Sequence, residues 1–525
     1  MSFGAHEELQ LLGLLVALGV MLAAAPVLRV PVPVLLVGGG VLLGFVPGLP
    51  TIVLPPDVVL VAFLPPLLYS AAFFTSLRDL RENLRPISTL SIGLVFATTA
   101  GVAAVAHGWL GFSWATAFAL GAVVSPTDAL AVSETTARCP MPRRLVAILG
   151  GESLVNDGTA LVLLKAAVGA AVGTGFSMAH AGVHLVLSIA GGIAIGLVVG
   201  YVVRKVRVRL HDPPIEIAIA VLTGYFAFLP AAALGVSGVL AAVSAGVYLG
   251  WYTPELTDAG TRLSGFAFWE ILTFLVNAAL FALVGLQLRS IVDSLSGSRN
   301  FIADAAIVCV VVIVIRLVWV PVFSYLPRLL FRSIRERDPY PPWQYPFVVS
   351  WAGIRGGLSL AAALSLPTDV ADRDLIVFLT FCVIVVTLVG QGMTLPAVIR
   401  LVGLPLDDGR AEREDAKARI KAAEAALARL EELIEEGAVH PDSADRLRGA
   451  YGFRLNRFQE RLDGNGDGEI ERRSARYQRV RRELLEAERG AVVSLRNQGL
   501  INDDVMHRVQ RDIDLEAARL DVSPG

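Results

Sequence analysis

The chain has 525 residues, 54% of them hydrophobic and 18% charged, with a formal net charge of −2, and the apolar residues are spread unevenly. All seven Trp lie at or before Trp351 and apolar runs recur to Val402, whereas the chain from Asp407 onward is rich in Arg, Glu, Asp and Ala. Apolar runs of about 20 residues match the length of membrane-spanning helices and exclude a single water-soluble globule; the small net charge gives no case for a nucleic-acid partner, and three scattered cysteines, Cys139, Cys309 and Cys382, form neither a disulfide framework nor a zinc spacing.

The fold class read from this pattern is an all-α polytopic membrane protein, residues 1–405, followed by a helical tail, residues 406–525. The residues before the first apolar run carry Glu7 and Glu8 and no Lys or Arg, so no cleavable signal peptide is expected. Thirteen spans are predicted. The first six are Leu9–Leu28, Val30–Val46, Val58–Phe74, Ile87–Ala106, Phe112–Val132 and Leu145–Val172. The next seven are Val183–Val203, Ile215–Leu229, Val236–Gly250, Gly265–Leu288, Phe301–Leu326, Tyr345–Leu366 and Leu375–Leu401; the pair flanking Pro230 reads equally as one span or two.

Alternate loops are basic: Arg78, Arg81 and Arg85; Arg138, Arg143 and Arg144; Arg204, Lys205, Arg207 and Arg209; Arg328, Arg332, Arg335 and Arg337. The intervening loops carry few cations, Arg289, Arg299 and Arg373 being the exceptions. Basic loops stay cytoplasmic. The expected topology therefore has the N-terminus outside and the tail inside a plasma membrane.

Several spans are interrupted by polar or helix-breaking residues, and each interruption suggests chemistry. In span three, Leu64-Pro65-Pro66-Leu67 breaks the helix and places Tyr69 and Ser70 after it. In span five, Ser125-Pro126-Thr127-Asp128 combines a residue without a backbone donor with hydroxyls of the hard type that Na⁺ accepts. Asp128 is placed to neutralise the positive end of the half-helix that follows.

In span six, Gly150-Gly151-Glu152-Ser153-Leu154-Val155-Asn156-Asp157 sets Asp157 in an apolar segment with no adjacent Lys or Arg. A carboxylate at membrane depth marks a functional site unless it is merely hydrogen-bonded to a helix break. Ionised, Asp157 binds a cation; neutral, it holds a proton. Binding of one displaces the other, which makes exchange pH-sensitive and predicts one cation for one proton. In span twelve, Gly353-Ile354-Arg355-Gly356-Gly357 buries a cation that needs a partner. Glu152, one turn before Asn156 on the same face, is the candidate. Breaks in spans five and twelve fit inverted repeats with two broken helices crossing at the midplane. Arg316, Glu216, Glu270 and Asn277 read as interhelical pairs holding the bundle.

The tail is predicted as helices over Arg410–Glu436, from Pro441 to Leu462, over Arg472–Asn497 and over Asp503–Leu520. Leu427, Leu430, Leu433 and Ile434 recur at helical spacing and call for packing within the tail or against a partner. Between the second and third helices, Asp463, Asn465, Asp467 and Glu469 with Gly468 match the first half of a Ca²⁺ loop, but the twelfth position is Ser474 in place of a bidentate Glu. An acidic turn between helices is the competing reading.

In order along the chain, Leu64-Pro65-Pro66-Leu67-Leu68, Ser125-Pro126-Thr127-Asp128, the segment Gly151-Glu152-Ser153-Leu154-Val155-Asn156-Asp157-Gly158-Thr159-Ala160, and Gly353-Ile354-Arg355-Gly356-Gly357-Leu358 resemble the monovalent cation:proton antiporters of the sodium/proton exchanger branch, over most of Leu9–Leu401. The resemblance implies a non-enzymatic, cofactor-free electroneutral exchanger of Na⁺ (or Li⁺ or K⁺) for H⁺ serving pH and salt homeostasis. It also implies a homodimer with a core domain moving against a dimerisation domain. By similarity, Asp157 is the ion- and proton-binding carboxylate, Ser153, Asn156, Asp128 and Thr127 surround it, and Glu152 with Arg355 is a structural ion pair. The sequence departs at Ser70, where prokaryotic relatives often carry an acidic residue. The tail is expected to regulate the membrane domain by contacting it or a regulatory ligand. A K⁺/H⁺ exchanger with the same machinery, a cation channel, and a membrane-anchored sensor with the tail as output are the alternatives.

Overall fold

In the computed structural model, the described residues are 5–28, 30–46, 56–136, 139, 141–172, 178–210, 212–295, 300–404, 410–463 and 469–521, and every regular element among them is helical. The chain divides into two units, Met1–Leu406 and Asp407–Gly525.

The first unit opens with α1 (Ala5–Leu28), α2 (Val32–Gly44), α3 (Pro56–Phe73) and α4 (Leu77–Glu82). Next, α5 (Leu84–Ser88) runs through a π-helical turn, Thr89–Leu94, into α6 (Val95–Leu110). The fifth predicted span is two half-helices, α7 (Trp114–Val124) and α8 (Ala129–Thr136), and α9 (Arg143–Ala171) follows. Then come α10 (Met178–Arg207), α11 (Pro213–Ala233), α12 (Gly238–Leu256), α13 (Ala259–Ser294), α14 (Phe301–Leu330) and α15 (Arg332–Arg337). The twelfth predicted span is also split, into α16 (Gln344–Trp351) and α17 (Gly357–Leu364). Finally, α18 (Arg373–Val385) passes through a second π turn, Val386–Gly392, into α19 (Met393–Val402). The spans predicted on either side of Pro230 are two helices, α11 and α12, but Pro230 lies inside α11 and the break falls at residues 234–237, where Gly235 has a φ of 75°.

Among the described residues, seven helices are long and apolar enough to cross a membrane: Leu84–Leu110, Arg143–Ala171, Val186–Arg207, Pro213–Ala233, Ala259–Ser294, Phe301–Leu330 and Arg373–Val402. Val16–Ala25, Val32–Gly44, Val61–Phe73 and Trp114–Val124 are shorter apolar helices.

Small residues set the closest crossings, as they do where lipid supplies no hydrophobic drive between helices. Helices α2 and α13 meet at Gly40 and Gly285. A Cβ on Gly285 would land on the Val37 carbonyl oxygen, and one on Gly40 would land on that of Ala282.

At the basic ends of the helices, Asp338 gathers three arginines. Arg328 Nη2 lies 2.6 Å and Arg85 Nη2 3.0 Å from its Oδ2, and Arg144 Nη2 lies 2.8 Å from Oδ1. One carboxylate thereby ties α5, α9 and α14. Burial alone would raise the Asp338 carboxyl. The hydrogen bonds and charges of Arg144 and Arg328 outweigh that and hold it below the usual carboxylate range.

The second unit holds α20 (Arg410–Glu435), α21 (Pro441–Asp463), α22 (Glu469–Asn497) and α23 (Asp503–Asp521). Ala416, Ile420, Ala423, Leu430 and Ala444 are buried in it, as are Leu485, Met506 and Ile513. Bidentate contacts of Arg448 with Glu431, both at 2.9 Å, join α20 to α21, and Arg489–Asp514 at 2.6 Å joins α22 to α23. Of the loop weighed for Ca²⁺, Asn465 and Asp467 lie outside the described residues, as do the side chains of Asp463 and Glu469.

Two outcomes follow. Gly285→Ala should lower stability in detergent by about 1–3 kcal/mol, the cost of forcing a methyl into a packed crossing, whereas Gly38→Ala, with nothing within 4 Å of its added Cβ, should be neutral or mildly stabilising; equal melting temperatures for both variants would contradict the crossing. Because the Asp338 pKa is depressed in the folded protein, its stabilisation is complete above the unfolded carboxylate value of about 3.9 and is lost as pH falls through the lower folded value. The melting-temperature gap between wild type and Asp338→Asn should therefore be flat from neutral pH to about 5 and close below 4.

Candidate functional site

The two broken helices meet back to back. The Asp128 backbone N–H donates to the Ile354 carbonyl at 2.8 Å, locking one break onto the other. Four half-helix ends converge there, and each leaves backbone groups without intrahelical partners. Asp128 lies at the two positive ends: Oδ1 accepts from Ala131 N at 3.3 Å in the first turn of α8, and Oδ2 packs against Gly356, the residue before α17. A Cβ on Gly356 would overlap that oxygen, so only glycine admits the carboxylate. Ser153 Oγ accepts from Ala129 N at 3.4 Å, at the same end of α8.

Arg355 lies at a negative end. Its Nη1 donates to the Ser125 carbonyl, which closes α7, and its backbone N–H donates to Thr387 Oγ1 at 3.1 Å in the second π turn. Carboxylate at N-termini and guanidinium at a C-terminus are the favourable placements against helix dipoles.

The expected Glu152–Arg355 pair is corrected by this geometry. Arg316 of α14 takes Glu152 in a two-pronged contact, Nη1 to Oε1 and Nη2 to Oε2 at 2.9 Å, and its Nε is fixed on the Val349 carbonyl at 3.1 Å. A fork held at its base by Val349 presents two parallel N–H groups to both carboxylate oxygens. Arg355 is committed elsewhere, to the freed end of α7. Both arginines and Glu152 are about 1% exposed, so each needs such partners.

Helix α9 divides the remaining roles by face. Glu152 and Asn156, four residues apart, share the face toward the crossing. Asn156 Nδ2 donates to Thr127 Oγ1 at 2.9 Å and to the Thr127 carbonyl at 3.3 Å, and Thr127 Oγ1 donates to Glu152 Oε1 at 2.8 Å. Among the described residues, Asn156 Oδ1 is buried without a hydrogen-bond partner. Ser153 and Asp157, also four apart, line a cavity of about 710 Å³.

Asp157 is the central residue of α9, fourteen from either end and therefore about 21 Å from each. Among the described residues its carboxylate makes no hydrogen bond or ion pair, and it is half-buried on the cavity wall. Thr127, Asp128 and Ser153 share that wall. The cavity reaches Thr75, Thr136 and Met141, at the helix ends that adjoin the basic segments. Its facing wall comes from α3, with Ser70, and from α13, with Glu270, Thr273 and Asn277.

Some of this lay beyond the sequence. From sequence, Glu152 is given to Arg355 and Arg316 is set among the bundle-holding residues, and no spacing rule pairs residues 164 positions apart. Glu216 does form an interhelical pair, with Arg207 at 3.3 Å, both buried. Glu270 and Asn277 instead face the cavity. Their spacing of seven along α13 with Thr273 between them was the available signal. Among the described residues, no group of three or more His, Cys, Asp or Glu side chains is arranged to hold a metal ion.

The family described as sodium/hydrogen exchanger, transmembrane, matches residues 13–401. An uncharacterized Na(+)/H(+) exchanger of Mycobacterium tuberculosis is 38% identical, across 94% of this chain and 92% of its own length. The low-affinity Na(+)/H(+) antiporter NhaS1 of Synechocystis is 32% identical, across 85% of this chain and 84% of its own. The fold is similar to the solved structure of the sodium proton antiporter MjNhaP1 from Methanocaldococcus jannaschii, with a TM-score of 0.59 at 18% identity, covering 76% of this chain and all of that one.

Removing one member of the Glu152–Arg316 pair strands a buried charge, which costs about 3–5 kcal/mol. Arg316→Met alone should therefore lower the melting temperature sharply, and Glu152→Gln combined with Arg316→Met should recover much of the loss. A double variant no more stable than the single would contradict the pairing.

Proposed function

The chain belongs to the sodium/hydrogen exchanger family, and from that premise we propose that it is a secondary active antiporter exchanging Na⁺ for H⁺ at Asp157 by alternating access. The observation that carries the assignment is the position of that carboxylate: central in α9, facing a water-sized path, and without a cation partner among the described residues. The other membrane-depth charges beside it are spoken for. Glu152 is held by Arg316, Asp128 serves the half-helix ends, and Arg355 serves the end of α7.

A cation entering the cavity exchanges part of its water for the Asp157 carboxylate and the hydroxyls of Thr127 and Ser153, which are hard oxygen donors. A proton on Asp157 removes the charge that holds the cation. One carboxylate serving both ions gives one Na⁺ for one H⁺, an electroneutral cycle. The loops rich in Arg set the N-terminus outside and the tail in the cytoplasm of a plasma-membrane protein. In that orientation the cavity opens inward, and the core built on the crossing moves against the wall of α3 and α13. The reading includes a homodimer and a regulatory tail.

The test is pH-dependent exchange by purified protein in liposomes with Na⁺, Li⁺ and K⁺ side by side. The apparent KM for Na⁺ should rise as pH falls, by up to about tenfold per pH unit where one proton competes with one cation. Asp157→Asn should abolish exchange. A Na⁺ KM independent of pH, or exchange that survives in Asp157→Asn, would sink the proposal.

A further inference from the structure

The charge lining the cavity is acidic. The charged lining residues among those described are Asp128, Asp157 and Glu270, with no Lys, Arg or His. The first two lie at the crossing; the third does not. Glu270 stands on α13, the facing wall, and is exposed. Among the described residues no cation pairs with its carboxylate; beyond the helix's own backbone bonds, its carbonyl accepts from Thr273 Oγ1 at 3.2 Å.

The height of Glu270 along the cavity follows from helix geometry. Leu280 of α13 abuts the crossing, since a Cβ on Gly357 would stand 3.3 Å from the Leu280 Cβ. Ten residues separate Glu270 from Leu280, or about 15 Å along the axis, toward the Ala259 end of α13. Thr273 and Asn277 lie between them on the same face, and all three line the cavity. On α9 the corresponding path runs from Val146 through Leu149 and Ser153 to Asp157. Polar oxygens therefore descend the α13 wall in steps of about a helical turn, while the α9 face opposite is lined by Val146, Leu149 and Gly150 before Ser153. A fixed negative charge at the mouth of a low-dielectric funnel raises the local cation concentration and the rate of entry.

Resting on the exchange reading above, we propose that Glu270 is a cation-recruiting residue of the cavity mouth, with Thr273 and Asn277 forming the ladder from it to Asp157. It acts before the shared carboxylate is reached, so it affects apparent affinity and leaves the maximal rate unchanged. It also acts through space, so salt screens it.

The experiment measures Na⁺ exchange at fixed pH in inside-out vesicles, with ionic strength set by choline chloride at about 10 mM and about 200 mM, where the screening lengths are roughly 30 Å and 7 Å. Glu270→Gln should raise the Na⁺ KM about threefold at low ionic strength with an unchanged maximal rate. Glu270→Asp should restore it, and the difference should vanish at high ionic strength. An unaltered KM at low ionic strength, a shift that persists at high ionic strength, or a loss confined to the maximal rate would each overturn the assignment, the last two marking a structural role. Asp157→Asn in the same vesicles keeps the parent reading separate: exchange surviving there contradicts the shared carboxylate, whereas the salt-dependent shift at Glu270 decides recruitment.

Discussion

Two helices cannot be broken inside a membrane without leaving backbone N–H and carbonyl groups exposed to a medium that satisfies neither. The whole architecture answers that constraint. Asp128 meets the positive ends of α8 and α17, Arg355 meets the negative end of α7, and the Asp128 N–H to Ile354 carbonyl bond fixes the two breaks against each other. Glycine at 356 is required because the carboxylate occupies the space a side chain would take. The crossing is thus electrically closed on itself, and Thr127, bonded to Glu152 and Asn156, stands beside a path whose lining holds no Lys, Arg or His among the described residues.

A division of labour among acids follows. Glu152 and Asp157 are five residues apart, too far round the helix to share a face. Glu152 turns toward α14 and is saturated by Thr127 and Arg316; Asp157 turns toward the cavity. A saturated carboxylate gains nothing from a passing ion, whereas one at the edge of a water path has something to exchange. Asn156 separates the two environments, bonded to Thr127 on one side of its amide, with its own oxygen buried and, among the described residues, unpartnered. That oxygen is a further acceptor within the same neutral bridge.

The legible parts of the sequence were those governed by local rules. Proline at 126 and the glycines flanking Arg355 marked where helices stop, because a missing donor and a missing Cβ act at their own position. The polar interruptions within spans five and twelve marked the two split helices for the same reason. What was not legible depends on rotation and depth in three dimensions. Arg316 and Arg355 are both lone cations in apolar spans, and only the three-dimensional placement of α14, from which Arg316 reaches across to α9, decides which meets Glu152. Glu270 read as a bundle-holding residue because an acid within a span normally finds a partner; its exposure to a cavity is a property of the space between helices, which no single helix records. The gathering of Arg85, Arg144 and Arg328 on Asp338 joins three separate helices and has no local signature.

The central claim is that one carboxylate is occupied in turn by a cation and a proton. Its most direct test is proton release on cation binding, read with a pH indicator in weakly buffered detergent solution of the purified protein, with no membrane and no turnover. Addition of Na⁺ should release one proton per ion bound from wild-type protein held at a pH where the site is protonated, and none from Asp157→Asn. Sodium binding without proton release, or equal release from the two proteins, would contradict the account.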